Sequence, residues 1–573
     1  MRLLLAISLF SLAGCAAFEL FPSVKLRTKF GELEGFRHRL QNGHLARIFL
    51  GIPYAEPPKR FEKPEPVLPW NERKQAKAFG PSCYPTYSWM MDADLEFNED
   101  CLFVNIMAPG KVSKGHFGYP VIVWIHGGGF EVGTSTIFGF KRIAENFVSR
   151  DVVFVTLNYR LGPFGFFSNG GEDLPGNLGI WDQIQALRFV KEIIADFGGN
   201  PSEITVLGSS AGAAAISAMT LSPVASNLFH RAICLSGSSL STFAMNERVV
   251  SESRLLAHFL GCHGSTEKIM SCMKNLSVDA FVAAFEDIGP AKDRPLGFRY
   301  SMRFDKNLFP FDSYEALMEL SPSVPMMTLI TSAEMGVFIM NSFDFSLFDV
   351  ESQKLSYYDE SDLRLVIKVL SAGVEGLEDQ LTQFYVPKKL DPEVRNSSFY
   401  LSRLSQLASD VLFNVPMLQE VELRTKFGGR VYVGLEEYFS SSDREEPAIP
   451  GAYHGNELCY LFEDQFGSVF DGSLKSKLFR KQMVEAIVSF AKTGTPRSGG
   501  TIWKPANKIH PRRFTSLNLR SRVNDGLMEE SFDFWTKRVP RKCDVHELAK
   551  LFPAMEPEKR FVGNRIDKRK RRF

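Results

Sequence analysis

Ser210 stands in Gly208-Ser209-Ser210-Ala211-Gly212, and other residues along the chain are of the types that could turn its hydroxyl into a nucleophile. A serine oxygen attacks a carbonyl carbon only when a base takes its proton, and that base needs an acid to hold its tautomer. Ahead of the pentapeptide runs Ile204-Thr205-Val206-Leu207, apolar and partly β-branched, which reads as a buried strand. Behind it the residues from Ala211 to Met219 are small and mostly helix-tolerant. Between a strand and a helix, glycines two positions either side of a serine mark a turn too tight for a Cβ at those positions. Such a turn lifts the hydroxyl clear of the backbone.

In this setting the partners follow in the order serine, acid, histidine. Of the ten histidines, only His454, His510 and His546 lie far enough downstream to follow an acid. His454 sits in Gly451-Ala452-Tyr453-His454-Gly455-Asn456-Glu457, a loop beyond a strand, where a mobile glycine-flanked imidazole could reach the sheet top. His510 and His546 lie in polar surroundings and read as surface or structural residues. The acid should follow a strand between Ser210 and His454. Met326–Thr331 is such a strand, and Glu334 comes directly after it, with Asp344 and Asp349 as nearby competitors. A carboxylate after a strand also has the plainer role of capping a helix. The third requirement is a set of donors for the developing oxyanion. Residues 121–125 lead into His126-Gly127-Gly128-Gly129-Phe130, a turn that could aim backbone amides at an alkoxide. With Ala211, Gly128 and Gly129 would make a three-donor hole, each donor worth about 2.7–4 kcal/mol in the transition state. A flexible glycine turn is the bland alternative.

The elements that must position these residues alternate between strand-like and helical patterns from about residue 24 to 235. Residues 121–125 and 152–157 read as strands, and residues 180–197 as a helix with Ile184, Leu187, Val190, Ile193 and Ile194 on one face. Strands separated by helices imply a mainly parallel sheet with helices on both faces. Residues 240–420 read as a more helical, loop-rich insertion broken by the strand at residue 326; residues 431–435 make one more strand and 478–492 a helix. No linker and no repeat divides the chain, so residues 18–555 read as one domain. At 573 residues, 44% hydrophobic and 23% charged, the chain is of ordinary globular composition, and a net charge of +1 gives no reason to expect a nucleic-acid partner.

Residues 1–17 carry an arginine, an apolar run and a small-residue end, which reads as a signal peptide cleaved near Ala16 or Ala17. A lipoprotein-type box at Cys15 is the rival reading. No later segment reaches the ~18 apolar residues of a membrane span. Of eight cysteines, Cys83 with Cys101 and Cys262 with Cys272 are local pairs that would close short loops; Cys234, Cys459 and Cys543 are left over. Asn275 and Asn396 begin glycosylation sequons. Residues 556–573 form a basic tail that reads as solvated and lacks the acidic-Leu retrieval pattern.

The chain resembles a type-B carboxylesterase of the α/β-hydrolase superfamily. The resemblance rests on Phe49-Leu50-Gly51-Ile52-Pro53-Tyr54, Glu99-Asp100-Cys101-Leu102, Asn158-Tyr159-Arg160-Leu161-Gly162, Gly176-Asn177-Leu178-Gly179, and Phe197-Gly198-Gly199-Asn200-Pro201 running into the serine turn. It implies an α/β-hydrolase fold, a Ser210-Glu334-His454 triad, disulfides Cys83–Cys101 and Cys262–Cys272, a small-molecule ester substrate and no cofactor or metal. Two residues depart from the pattern: Ser209 stands where the family usually has a glutamate, and Met335 where a small residue is usual. The loop between Cys83 and Cys101 is short, and Trp89 does not match the choline-binding aromatic of cholinesterases, which disfavours an acetylcholine hydrolase. The function expected is a secreted serine ester hydrolase. An acyltransferase using the same acyl-enzyme and a non-enzymatic adhesion member of the fold are the alternatives.

Overall fold

The computed structural model describes residues 22–539, except 88–89, 116, 290, 292–295, 342–346, 372–373, 387–393, 441–446 and 463–469. The signal-peptide reading, Cys15, Trp89, Asp344, Cys543, His546 and the basic tail lie outside the described residues.

The chain opens with β1 (Ser23–Thr28), β2 (Gly31–Arg39), β3 (Leu45–Pro53) and β4 (Phe103–Pro109), which pair in antiparallel order. Strand and helix do not alternate here as the sequence reading expects, because β1 to β3 are joined by turns too short for a crossover helix. From β5 (Tyr119–Ile125) onward the sheet is parallel, through β6 (Val153–Leu157), β7 (Gly199–Ser209), β8 (Arg231–Leu235), β9 (Met326–Thr331), β10 (Val431–Glu436) and β11 (Phe514–Leu517). A final β12 (Arg522–Asn524) returns antiparallel. The strand order is β1-β2-β3-β4-β6-β5-β7-β8-β9-β10-β11-β12.

Side chains alternate across a strand, and β5 shows what that does to the core. Val121, Val123 and Ile125 pack on one face with helix α2 (Leu178–Ile193) and helix α3 (Ala211–Met219). Ile122 and Trp124 pack on the other with α1 (Lys141–Asn146) and α4 (Leu474–Thr493). Helices therefore cover both faces, which a buried parallel sheet requires. All five apolar residues expected on one face of the 180–197 helix are buried, but so are Asp182 and Gln183, because this helix lies under other elements on nearly every side. A third apolar cluster gathers the helices Glu360–Leu370, Leu377–Tyr385 and Ser397–Ser409 of the insertion.

Buried Asp182 is matched by Arg160, whose Nε and Nη2 donate to its two oxygens at 2.8 and 2.6 Å. The remaining guanidinium nitrogen donates to the Glu62 carbonyl at 2.8 Å, tying the β6 exit to the loop before β4. Removing one partner of a buried pair strands the other's charge. Arg160→Met is expected to cost about 3–5 kcal/mol in denaturant unfolding. Adding Asp182→Leu should recover part of that loss; a single variant as stable as the parent would contradict the assignment.

Sγ atoms of Cys83 and Cys101 are 2.02 Å apart and those of Cys262 and Cys272 1.98 Å apart. Cys234 and Cys459 are buried and belong to neither disulfide. Asn275 and Asn396 are exposed; Asn396 also caps the helix Ser397–Ser409 through its side-chain oxygen. No helix among the described residues is long and apolar enough to cross a membrane.

Candidate active site

Because β5, β7, β8, β9 and β10 are parallel, their carboxyl ends all open on one edge of the sheet, and the candidate residues sit just beyond them. Ser210 follows β7 with φ 57° and ψ −125°, a conformation an L-residue adopts only when its surroundings force it. The glycines do that forcing. A Cβ on Gly208 would stand 2.8 Å from the Gly212 carbonyl carbon, and one on Gly212 would run into the Ile125 carbonyl oxygen. The Ser210 amide is fixed by donating to the Leu235 carbonyl at 2.8 Å, and its side chain caps nothing in α3.

Glu334 is buried three residues beyond β9. Its Oε1 accepts the Thr331 amide at 2.8 Å and the Ser236 hydroxyl at 2.6 Å, so its Oε2 is left to face His454. The His454 Nδ1–H donates to that oxygen at 2.7 Å. Phe413 and Phe338 rings pack at 4.7 and 5.4 Å from the imidazole centroid. The histidine loop is not the mobile arm that its glycines imply. His454 N donates to Glu334 O at 3.2 Å and Ala452 N to Ser332 Oγ at 2.9 Å, while Ala333 N donates back to Ala452 O at 2.8 Å. His510, by contrast, is at the surface beside Asp525. Met335 turns into the third apolar cluster with its amide on Ser409 Oγ at 3.0 Å, so its bulk does not displace Glu334 from His454.

Ser210 and His454 line one cavity of about 350 Å³, together with Gly128 and Gly129. Gly128 has φ 104° and Gly129 φ 62°, and neither amide, nor that of Ala211, donates to a protein acceptor among the described residues. Trp124, Phe138, Phe298, Phe338 and Leu458 supply most of the remaining wall, and among the described residues no Asp, Glu, Lys or Arg lines it. His126, at the start of the glycine turn, is stacked on Tyr159 and pushed down to about 4 by burial, so it stays neutral.

Two carboxylates behind the site were not singled out from the sequence. Ser209 Oγ donates to Glu457 Oε1 at 2.7 Å, and Asn456 Nδ2 donates to Glu436 Oε1 at 2.6 Å. The Oε2 atoms of both glutamates are buried without a partner among the described residues. Burial, then the Glu457 charge, holds Glu436 well above the usual carboxyl range; burial also raises Glu457, against the Ser209 hydrogen bond. The family's usual glutamate before the serine is thus absent, and a carboxylate one layer deeper meets Ser209 instead. A group whose proton affinity is raised on folding stabilises the native state below its ordinary range and loses that contribution as pH rises through its folded value. Glu436→Gln keeps the acceptor for Asn456 and removes the charge. Its melting temperature relative to the parent should climb steadily from pH 5 to 9; a flat difference across that range would contradict the raised proton affinity.

The sequence profile described as the carboxylesterase family matches residues 22–535, and the chain belongs to that family. It is a carboxylesterase-type hydrolase. The chain is 34% identical over 565 residues to gut esterase 1 of Caenorhabditis briggsae, covering 95% of this chain and 96% of that protein. It is 33% identical over 541 residues to gut esterase 1 of Caenorhabditis elegans, covering 90% and 93%. Against carboxylesterase 5A of Canis lupus familiaris it is 30% identical over 516 residues, covering 86% and 85%.

Proposed function

We propose that the chain hydrolyses neutral, apolar carboxylic esters through Ser210, His454 and Glu334. The observation that carries this reading is the 2.7 Å contact between His454 and Glu334 at the wall of a cavity that Ser210 also lines. Ser210 Oγ attacks the ester carbonyl as His454 Nε2 takes its proton. The resulting oxyanion is held by the Gly128, Gly129 and Ala211 amides. Collapse returns the proton from His454 to the departing alcohol and leaves an acyl-Ser210 ester. Water, deprotonated by the same imidazole, then releases the acid. Glu334 keeps Nδ1 protonated and stabilises the imidazolium without itself taking the proton.

The apolar cavity wall favours an uncharged substrate with an apolar acyl or alcohol group, since a cationic alcohol would find no carboxylate among the described lining residues. The two cysteine pairs at disulfide distance and the exposed sequons at Asn275 and Asn396 support a secreted or lumenal glycoprotein. A fluorophosphonate probe tests the assignment. It should label the full chain at Ser210, and Ser210→Ala should abolish labelling. Labelling elsewhere, or none on folded protein, overturns it.

A further inference from the structure

A second concavity, an open groove of about 920 Å³, shares no residue with the catalytic cavity. Three separate stretches of chain bring cations to it. Arg39 comes from the end of β2, Lys141 and Arg142 from the start of α1, and Arg150 from just beyond that helix. The first two turns of α4 add Lys477, Arg480 and Lys481. Among the described lining residues these seven cations face one carboxylate, Glu145, in a chain whose 67 basic and 66 acidic residues otherwise balance.

The local charge is held in place rather than neutralised. Glu145 Oε1 accepts the Gln41 amide at 2.8 Å. Arg150 is anchored to the Glu145 and Asn146 carbonyls at 3.0 and 2.7 Å. The Arg142 and Arg480 guanidiniums both lie over the Phe470 ring, at 5.0 and 4.7 Å from its centroid. Burial, with smaller contributions from the nearby Arg142 and Arg150 charges, lowers the proton affinity of Arg480. Several surface cations elsewhere meet carboxylates, as in Arg73–Glu32, Lys77–Glu34, Lys274–Glu62 and Arg364–Glu360. None of the seven groove cations has such an ion pair among the described residues. Clustered, uncompensated charge in a concave surface focuses a field that only a polyanion relieves along its whole length.

We propose that this groove binds a sulfated polysaccharide. Arginine forks and lysine point charges both suit sulfate oxygens, and three lysines at the rim give reach along a repeating chain. Single-stranded nucleic acid would need open aromatic faces for its bases, and the Phe470 ring already carries two guanidiniums. A membrane surface would need exposed apolar side chains beside the cations, and apart from Phe470 beneath two guanidiniums the described groove residues offer no aliphatic or aromatic hydrocarbon side chain. The oxidising compartment proposed above is also where sulfated glycans are met; the groove's chemistry stands without that reading.

The test uses the full chain and a fluorescent heparin-derived decasaccharide, read by anisotropy at several salt concentrations. The parent should bind, with affinity falling steeply as salt rises, because each neutralised anion releases a counterion. Lys477→Gln/Arg480→Gln/Lys481→Gln should weaken binding about tenfold or more at fixed salt and flatten the salt slope. The control Lys29→Gln/Lys59→Gln/Lys274→Gln removes equal charge elsewhere and should bind as the parent does. Circular dichroism melts verify folding, and if the triple groove variant is unfolded, Lys141→Gln/Arg142→Gln on the opposite wall is read in its place. The proposal is overturned if the parent does not bind, if the control loses as much as the groove variant, or if groove variants bind like the parent. Tighter binding to single-stranded DNA of equal charge, or to phosphatidylserine vesicles, would overturn it as well.

Discussion

Ser210→Ala is expected to lower p-nitrophenyl ester turnover by about 10⁴-fold or more, leaving only the rate that the amide donors and cavity supply by themselves. The fold should survive. The Ser210 hydroxyl caps nothing in α3, and alanine keeps the Cβ that the Gly208 and Gly212 turn has already accommodated. The melting temperature should therefore stay within a degree or two of the parent, a change well under about 0.5 kcal/mol. Groups that act as one unit lose their effect together. The double variant Ser210→Ala/His454→Ala should accordingly be no slower than Ser210→Ala alone. A Ser210→Ala protein that turns over within tenfold of the parent would remove this serine from the reaction, and the cavity would need another nucleophile.

Glu334→Gln is expected to cost about 10³–10⁴-fold in kcat with the fold intact. The reason lies in how its two oxygens are committed. Oε1 holds the Thr331 amide and the Ser236 hydroxyl, and Oε2 holds His454 Nδ1. Glutamine has one acceptor oxygen. If that oxygen keeps the two donors of the strand end, the amide NH₂ faces Nδ1 and forces the imidazole into the tautomer with its proton on Nε2. That nitrogen can then no longer take a proton from Ser210. If the amide turns the other way, its NH₂ meets two donors in a buried site, which costs about 1–3 kcal/mol of stability per unsatisfied group. Either result separates Glu334 from Asp349, whose replacement by asparagine should leave kcat within a fewfold. Comparable losses for both variants, or none for Glu334→Gln, would reassign the acid. Single-turnover kinetics on the purified variants, with near-ultraviolet circular dichroism to follow packing, makes the comparison.

Much of this site was legible because its parts are local. The turn around Ser210 is dictated within five residues, by glycines where a Cβ has no room. Met326–Thr331 and Arg231–Leu235 are mainly apolar runs, and they form strands with those bounds because a sheet covered on both faces buries nearly every position along them. The order of Ser210, Glu334 and His454 along the chain follows from the order in which the parallel strands reach one edge. The helix expected at 478–492 starts earlier, at Leu474, because the Ser473 side chain caps it, a polar signal that apolar periodicity does not register.

The sequence by itself determined the family and the class of chemistry and nominated the candidate residues, since each rests on short-range chain geometry and on residue types with few other uses. Tertiary structure alone decided their surroundings. Ser209 meets Glu457 across 248 residues of chain, and whether the loop holding His454 is pinned or mobile depends on Ser332 and Glu334, more than a hundred residues earlier. Charge shows the same division. Summed along the chain it nearly cancels, and only folding gathers Arg39, Arg142 and Arg480 into one groove. Composition is an average over position, and an electrostatic field is not.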